Sequence, residues 1–385
     1  MQESDAPVDE AELLADAFAV TPATLRLLSR EPLGQGGSVA GFEVTHHEGG
    51  TSIAYVDTSG LAVPAETGLV LEGVARVWTH PADPHLPALI PAAFGGAVEV
   101  LLSRLGITAL AAPEMVGYRP GRRAVLRVAA EAGPVWIKVV RPSRIERIVD
   151  AHRALRGAGL PVPAVRGWSP DGILVLDHAT GTPATEVEWD PAALLAEADR
   201  VRRAIAEVPV AWHARTGVPR RLPWYAGRLL AALPAERNRV TALRDAADRI
   251  LADEPGAPVA VHGDLHIGQL FVEGTGADVR ITGIIDADTA GLGEAAEDGA
   301  AFLSHATASA LLTEGRSGID RIWALAEGAR TTWRSPRGDA LTIVHLLGHA
   351  LAASEGGDAG RAGRLLALAE AVRDDRPLRG AVATS

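Results

Sequence analysis

Two short apolar runs that end in acidic turns constrain this chain more than any other feature. VAVHGDLHIGQLFV at 259–272 sets the polar residues HGDLH between apolar flanks, and ITGIIDADTAG at 281–291 carries a second apolar run into Asp286. Apolar runs of this length bounded by turn residues read as buried strands. Asp264 and Asp286 are therefore expected at neighbouring strand ends. Asp264 and Gln269 are five residues apart, and Asp286 follows Asp264 by twenty-two. Two carboxylates and one amide placed in this way can converge on one magnesium ion, which takes oxygen ligands. In phosphoryl transfer a positioned carboxylate orients the attacking hydroxyl, while metal and cation neutralise the phosphate oxygens.

The cation is suggested by an imbalance in composition. Of 37 basic residues one is lysine, Lys138, and it sits inside the apolar strand VWIKVV. A buried ammonium of this kind could serve the α and β phosphates of a nucleotide. Its acidic partner is expected on the following helix, where Glu146 and Asp150 lie one turn apart. Both remain open, with Glu146 slightly favoured for its longer arm.

The 385 residues, 47% of them apolar, can bury more than one core. A formal net charge of -11 makes nucleic acid a poor partner, since non-specific affinity for it is electrostatic. The absence of cysteine rules out disulfides and thiolate chemistry, and fits a cytoplasmic location. The acidic first thirty residues do not read as a signal peptide, and no apolar stretch reaches the length of a membrane span.

Along the chain, residues 1–108 read as an α+β cap region. AELLADAFAV and PATLRLLSR look helical, GFEVTHHEGGTSIAYVD reads as a hairpin, and VLEGVARVWTH as one further strand. PADPHLPALIPAAF, with four prolines, reads as loop, and GAVEVLLSRLG as helix. Residues 109–182 read as a small lobe: five strands, three of them joined by the turns RPGR and EAGP, and one amphipathic helix from 143. Residues 183–385 are mainly helical, with a break expected at Pro209 and two short strands, LFVEG and VRITGIID.

HGDLHIGQ followed by IIDADTAG resembles the aminoglycoside phosphotransferase-like superfamily of small-molecule kinases, whose pattern runs H-G-D-x-H-x-x-N and then I-D-x-x-x-x-G. The resemblance covers about 113–365. It implies an α+β, bilobal protein-kinase-like fold, with ATP and Mg2+ as cofactors. By the same resemblance Asp264 is the catalytic base, Gln269 and Asp286 are metal ligands, and Lys138 is the nucleotide lysine. Asp298 matches the family's buried, structural aspartate, and YRPGRR at 118–123 looks like the opening of the small lobe. LVLDHATG at 174–181 resembles the hinge, which places Asp177, His178 and Ala179 beside adenine.

Three departures stand out. Gln269 replaces the usual asparagine, as in the maltokinase-like branch. Glu294, Ala295 and Gly299 replace residues whose role is in packing. The small lobe has no G-x-G-x-x-G, and only Gly121 lies in a turn that could cover phosphates.

Bland roles are assigned beside these. His262 reads as a structural histidine supporting the loop and His266 as mainly structural. Asp288 is expected to face solvent beside the metal. His345 and His349, spaced i,i+4, lack the glutamate of a zinc-protease motif. The tryptophans at 212, 224, 323 and 333 read as packing anchors. The function expected is an ATP-dependent O-phosphotransferase acting on a hydroxyl of a small molecule, as a cytoplasmic monomer or homodimer. Its alternatives are a Ser/Thr kinase acting on a peptide in natural-product biosynthesis, and a non-catalytic pseudokinase-like module.

Overall fold

The computed structural model describes residues 9–34, 37–46, 49–64, 68–71, 75–214 and 217–382. The chain divides into two compact units, Met1–Val149 with Ala164–His178, and Asp150–Pro163 with Ala179–Ser385.

The first unit opens with helix α1 (Glu10–Phe18), whose N-terminus is capped by the Asp9 carboxylate accepting from the amides of Ala11 and Glu12. Strands β1 (Leu25–Leu33), β2 (Gly37–Thr45), β3 (Thr51–Asp57), β4 (Leu69–Leu71) and β5 (Ala75–Thr79) form an antiparallel sheet in the order β1-β2-β3-β5-β4. Leu14 of α1 packs on its inner face against Phe42, Val44 and Val56. The helix expected over PATLRLLSR is wrong. Pro22–Thr24 makes one 3-10 turn and the rest is β1, paired with β2 from Leu25↔Val44 to Leu33↔Gly37. The outer edge of β2 would otherwise leave its amides and carbonyls unpaired, and that demand outweighs local helix preference. The single strand expected over VLEGVARVWTH is instead β4 paired with β5; 72–74 lie outside the described residues.

Helices α2 (Leu89–Ala93) and α3 (Gly95–Arg104) lead to the second sheet, whose strands are β6 (Glu114–Arg119), β7 (Arg123–Val128), β8 (Val135–Val140), β9 (Val165–Ser169) and β10 (Ile173–Asp177). Their order is β6-β7-β8-β10-β9, all antiparallel, with helix α4 (Pro142–Gly157) between β8 and β9. Successive side chains of a strand point to opposite faces. Ile137 and Val139 accordingly pack with Leu89, Val98 and Leu102, whereas Trp136 and Val140 pack with Ile145, Ile148 and Val149 of α4. Lys138 belongs to the α4 side.

A buried polar knot ties the two sheets of this unit. Asp83 accepts from the Tyr118 hydroxyl (2.8 Å), the Gly121 amide (2.7 Å) and the His85 amide (2.9 Å), and His85 Nε2 meets Asp57 Oδ2 at 2.7 Å. Burial raises the pKa of Asp83 against the opposing effect of these donors.

The second unit carries β11 (Thr182–Pro183), α5 (Pro191–Ala206), α6 (Leu222–Ala232), α7 (Arg237–Leu251), β12 (Val259–Val261), β13 (Leu270–Glu273), β14 (Arg280–Ile284), β15 (Gly291–Gly293), α8 (Glu297–Leu312), α9 (Ile319–Thr332), α10 (Pro336–Glu355), α11 (Ala359–Arg373) and α12 (Leu378–Val382). α5 stops before Pro209, where its break was expected. α10 is the central helix, packed against α6, α7, α8 and α11. Its start is set by Ser335, which accepts from the Gly338 amide, and by Pro336 in the first turn. The strands make two small sheets, β11-β13-β14 and β12-β15. Trp323 is buried, and Trp333 packs edge-on to Phe302 while donating to Asp199. Trp224 is 43% exposed and meets Tyr225 edge-on at 5.4 Å. Among the described residues no helix is long and apolar enough to cross a membrane.

Asp83→Ala is expected to leave the Tyr118 hydroxyl and two amides without their acceptor, lowering stability by about 2–4 kcal/mol. A urea titration followed by circular dichroism measures this, and an unchanged midpoint would mean that the knot contributes little.

Candidate active site

The site of the second unit is built on the ends of four short strands. β12 pairs with β15 and β13 with β14, so the turn 262–269 and the turn 285–290 lie side by side. The register Leu270↔Ile284 continues outward, with the Ile285 amide donating to the Gln269 carbonyl at 2.9 Å. This pairing brings the Gln269 and Asp286 side chains together across seventeen residues of sequence, with the amide 3.5 Å from Asp286 Oδ2. Asp286 itself takes a left-handed backbone, φ 63°, uncommon for a residue with a side chain.

The turn is held from beneath. Asp298, 1% exposed in the first turn of α8, accepts from the amides of His262 and Gly263, both at 2.8 Å. Burial raises its pKa, opposed by the charge of His262 and by those two amides. His262 is fully buried, its Nε2 lies 3.0 Å from the Ile285 carbonyl, and its own carbonyl accepts from Thr289 Oγ1 at 2.7 Å. His262 thus laces one turn to the other. Gly263 has φ +82°, and an added Cβ would stand 2.9 Å from the Thr289 carbonyl oxygen.

Asp264 follows, its side chain 41% exposed. Burial pushes its pKa up, but the contact with His305 and the neighbouring His266 and His262 outweigh this and hold the carboxyl well below the usual range. His305 Nε2, on α8, lies 3.5 Å from Asp264 Oδ1. The His305 ring is stacked on His266 (centroids 4.2 Å, 18° between planes) and meets His349 of α10 edge-on at 4.6 Å. Burial, then His305, pulls the pKa of His266 down to about 4.

The tautomer of His266 bears on the orientation of Gln269. His266 Nδ1 accepts from the Gly268 amide at 3.1 Å, so the neutral ring carries its proton on Nε2. Gln269 Nε2 placed 3.0 Å from His266 Nε2 would set donor against donor. A half-turn of the amide exchanges its oxygen and nitrogen and gives that proton an acceptor. The Gln269 oxygen then stands beside Asp286 Oδ2. Two hard oxygen donors at this separation repel unless a cation lies between them, and they suit magnesium. Asp264, His266 and His305 also bring ligand-type atoms within 4.8 Å of one another. A metal at His266, however, would have to displace the Gly268 amide from Nδ1 or the Gln269 side chain from Nε2.

The remaining predicted residues are placed as follows. Lys138 is 8% exposed on β8 in the first unit, opposite Leu174. Glu146 and Asp150 both occupy exposed positions on α4. Asp177 ends β10, 3.4 Å from Arg166. His178 Nδ1 accepts from Trp136 Nε1 at 2.9 Å, and Ala179 is buried. Asp288 does not face solvent: it is 7% exposed and lies 3.9 Å from His152 Nε2. The 3-10 turn Ala287–Thr289 sets it against His152 of α4, and a sequence reader sees only its polarity. The replacements at 294 and 299 serve packing, since Glu294 pairs with Arg337 and Gly299 lies against Trp333. His305 was missed as a site residue. It has no motif, and its contact with Asp264 spans forty-one residues of sequence.

Residues 117–338 match the phosphotransferase enzyme family, more than half of the chain. The chain belongs to that family and is a phosphotransferase. Among solved structures it is similar to a thermostable mutant of the aminoglycoside phosphotransferase APH(4)-Ia in complex with AMP-PNP and hygromycin B. The identity is 15%, the match covers 73% of this chain and 98% of that one, and the TM-score is 0.51. A candidate aminoglycoside phosphotransferase from Ralstonia eutropha JMP134 is similar at 13% identity over 75% and 98% of the two chains, with a TM-score of 0.50. The fold is thus α+β and protein-kinase-like, with the antiparallel sheet β6–β10 as its small lobe and the second unit as its helical lobe. A search of the curated proteins finds no match.

Two outcomes follow from this geometry. Gly263→Ala forces a Cβ into a left-handed backbone and against the Thr289 carbonyl, and is expected to cost at least about 1–2 kcal/mol. A urea titration at matched activity measures it. Burial and the neighbouring His305 also pull the pKa values of His345 and His349 down to about 3. Between that value and the ordinary one near 6.5 the unfolded chain binds more protons than the folded one. The stability from these neutral rings is therefore complete above about pH 6.5 and declines as pH falls below it. The urea midpoint is expected to drop between pH 7 and pH 5, with a shallower drop in His345→Leu/His349→Leu; equal slopes in both proteins would contradict the assignment.

Proposed function

We propose that this protein transfers the γ-phosphoryl group of ATP to a hydroxyl of a small molecule, with Asp264 orienting the hydroxyl and accepting its proton. The observation that carries this reading is the grouping of an ionised Asp264 with Gln269 and Asp286 on adjoining strand ends, supported from below by Asp298. Gln269 through its amide oxygen and Asp286 through its carboxylate would hold magnesium. When bound, that ion neutralises phosphate charge as the γ-phosphoryl group is transferred. Lys138 is assigned a second cationic role toward the nucleotide phosphates, with Glu146 or Asp150 as its acidic partner. The segment Asp177, His178 and Ala179 is assigned to adenine through its backbone groups.

The acceptor class is a hydroxylated metabolite. Family membership supports a small molecule, and the names of similar structures bring in aminoglycosides as one class to try. A neutral sugar is equally compatible with the imidazoles around Asp264.

The test is MgATP turnover with glucose, maltose, hygromycin B and a Ser/Thr-containing peptide as acceptors, beside calorimetric titration of MgATP. Asp264→Ala is expected to lower turnover by about 10²–10⁴-fold, the usual contribution of a positioned base, with MgATP affinity within about twofold of the parent. Asp286→Ala is expected to abolish magnesium-dependent tightening of ATP binding. A parent protein that binds no MgATP would sink the reading, whereas phosphorylation of the peptide alone would redirect it to a peptide kinase.

A further inference from the structure

We propose that His305 positions the catalytic carboxylate. Its Nε2–H donates to Asp264 Oδ1 and fixes the rotamer that leaves Oδ2 for the acceptor hydroxyl. This inference rests on Asp264 being the base, and it assigns a function to a residue that lies outside both motifs.

The geometry supports it at two points along α8. Asp298, in the first turn, binds the amides of His262 and Gly263, and His305 comes seven residues later. Two helical turns take up about that spacing, so the two side chains share one stripe of α8. One helix thus sets the backbone of the turn with Asp298 and meets the side chain at its tip with His305. The 3.5 Å separation is long for a hydrogen bond, as such contacts often are before substrate binds, and they tighten in the productive complex.

The His305 ring is itself constrained. His266 stacks on one face at 4.2 Å and His349 meets it edge-on at 4.6 Å. These contacts restrict rotation of the ring while leaving Nε2 toward Asp264. His266 is in turn tied to the Gly268 amide and the Gln269 side chain. A positioning chain therefore runs from the proposed metal ligand Gln269, through His266, to the ring that orients the base. A metal ion held by Asp264, His266 and His305 is a poorer account of the same cluster, because the two rings are stacked face to face and His266 already contacts the Gly268 amide and the Gln269 side chain.

Two measurements test the role on the full chain. In protein labelled with 15N-histidine at pH 7.5, His305 is expected as the Nε2–H tautomer, and that preference is expected to disappear in Asp264→Ala. MgATP turnover with water as acceptor is the second readout. His305→Ala is expected to lower kcat by about 10–100-fold, the usual effect of removing an orienting partner, with KM for ATP within about twofold. His305→Gln places an amide N–H near the former Nε2 and is expected to recover most of kcat. Because the pair acts as a unit, the double variant with Asp264→Ala is expected to be no slower than Asp264→Ala alone.

The proposal falls if His305 is the Nδ1–H tautomer, if its tautomer ignores Asp264→Ala, or if His305→Gln is as slow as His305→Ala. Stoichiometric zinc that is lost in His305→Ala would also overturn it, by making the ring a metal ligand. An inactive Asp264→Ala beside a fully active His305→Ala would remove only the positioning role. A fully active Asp264→Ala would remove the base on which it rests.

Discussion

The buried carboxylate of Asp298 is the interaction on which the candidate site depends. It accepts two consecutive backbone amides, those of His262 and Gly263, from a position 1% exposed to solvent. Placing a carboxylate in such a site is costly unless its lone pairs are satisfied. Two short amide bonds, the nearby His262 ring and the positive end of α8 offset part of that cost. The consequence is geometric. With two successive amides aimed inward, the backbone at Gly263 must turn through a left-handed conformation, and Asp264 is delivered at the tip of the turn.

A second consequence is the identity of the residue at 269. His266 and Gln269 flank a 3-10 turn, Ile267–Gln269, and in such a turn side chains three apart eclipse one another. The glutamine arm therefore returns over His266 and still reaches the Asp286 carboxylate. The extra methylene relative to asparagine allows one amide oxygen to accept from His266 while standing beside Asp286. Glutamine is in this sense matched to its histidine neighbour, and the two positions are expected to matter together.

Much of this was legible in the sequence because it is local. The apolar flanks of HGDLH and the run ending in Asp286 are strands, and their ends hold the residues singled out by spacing. The five strands and helix of the second sheet follow from alternation and from glycine and proline turns. What was not legible depends on contacts between distant segments. The strand at Leu25–Leu33 exists because β2 needs an edge partner, against a local pattern that suggests helix. Asp288 is buried because the turn after Asp286 folds inward, and polarity alone pointed outward. His305 and His349 lie on two helices whose packing brings their rings together beside Asp264, and no motif marks either.

The choice of imidazole around Asp264, the proposed base, is informative in a chain with 36 arginines. A guanidinium beside Asp264 would be permanently charged and could fork both carboxylate oxygens at once. That arrangement would orient the carboxylate but engage both oxygens and weaken each as an acceptor for a hydroxyl. An imidazole offers one donor at a time, can be neutral near pH 7, and is stiffened by ring contacts where a longer side chain would not be. His266 and His349 supply those contacts to His305, and the low pKa of His266 keeps its ring uncharged. In the proposed role the carboxylate gains a directional partner on one oxygen while its other oxygen stays available to the acceptor.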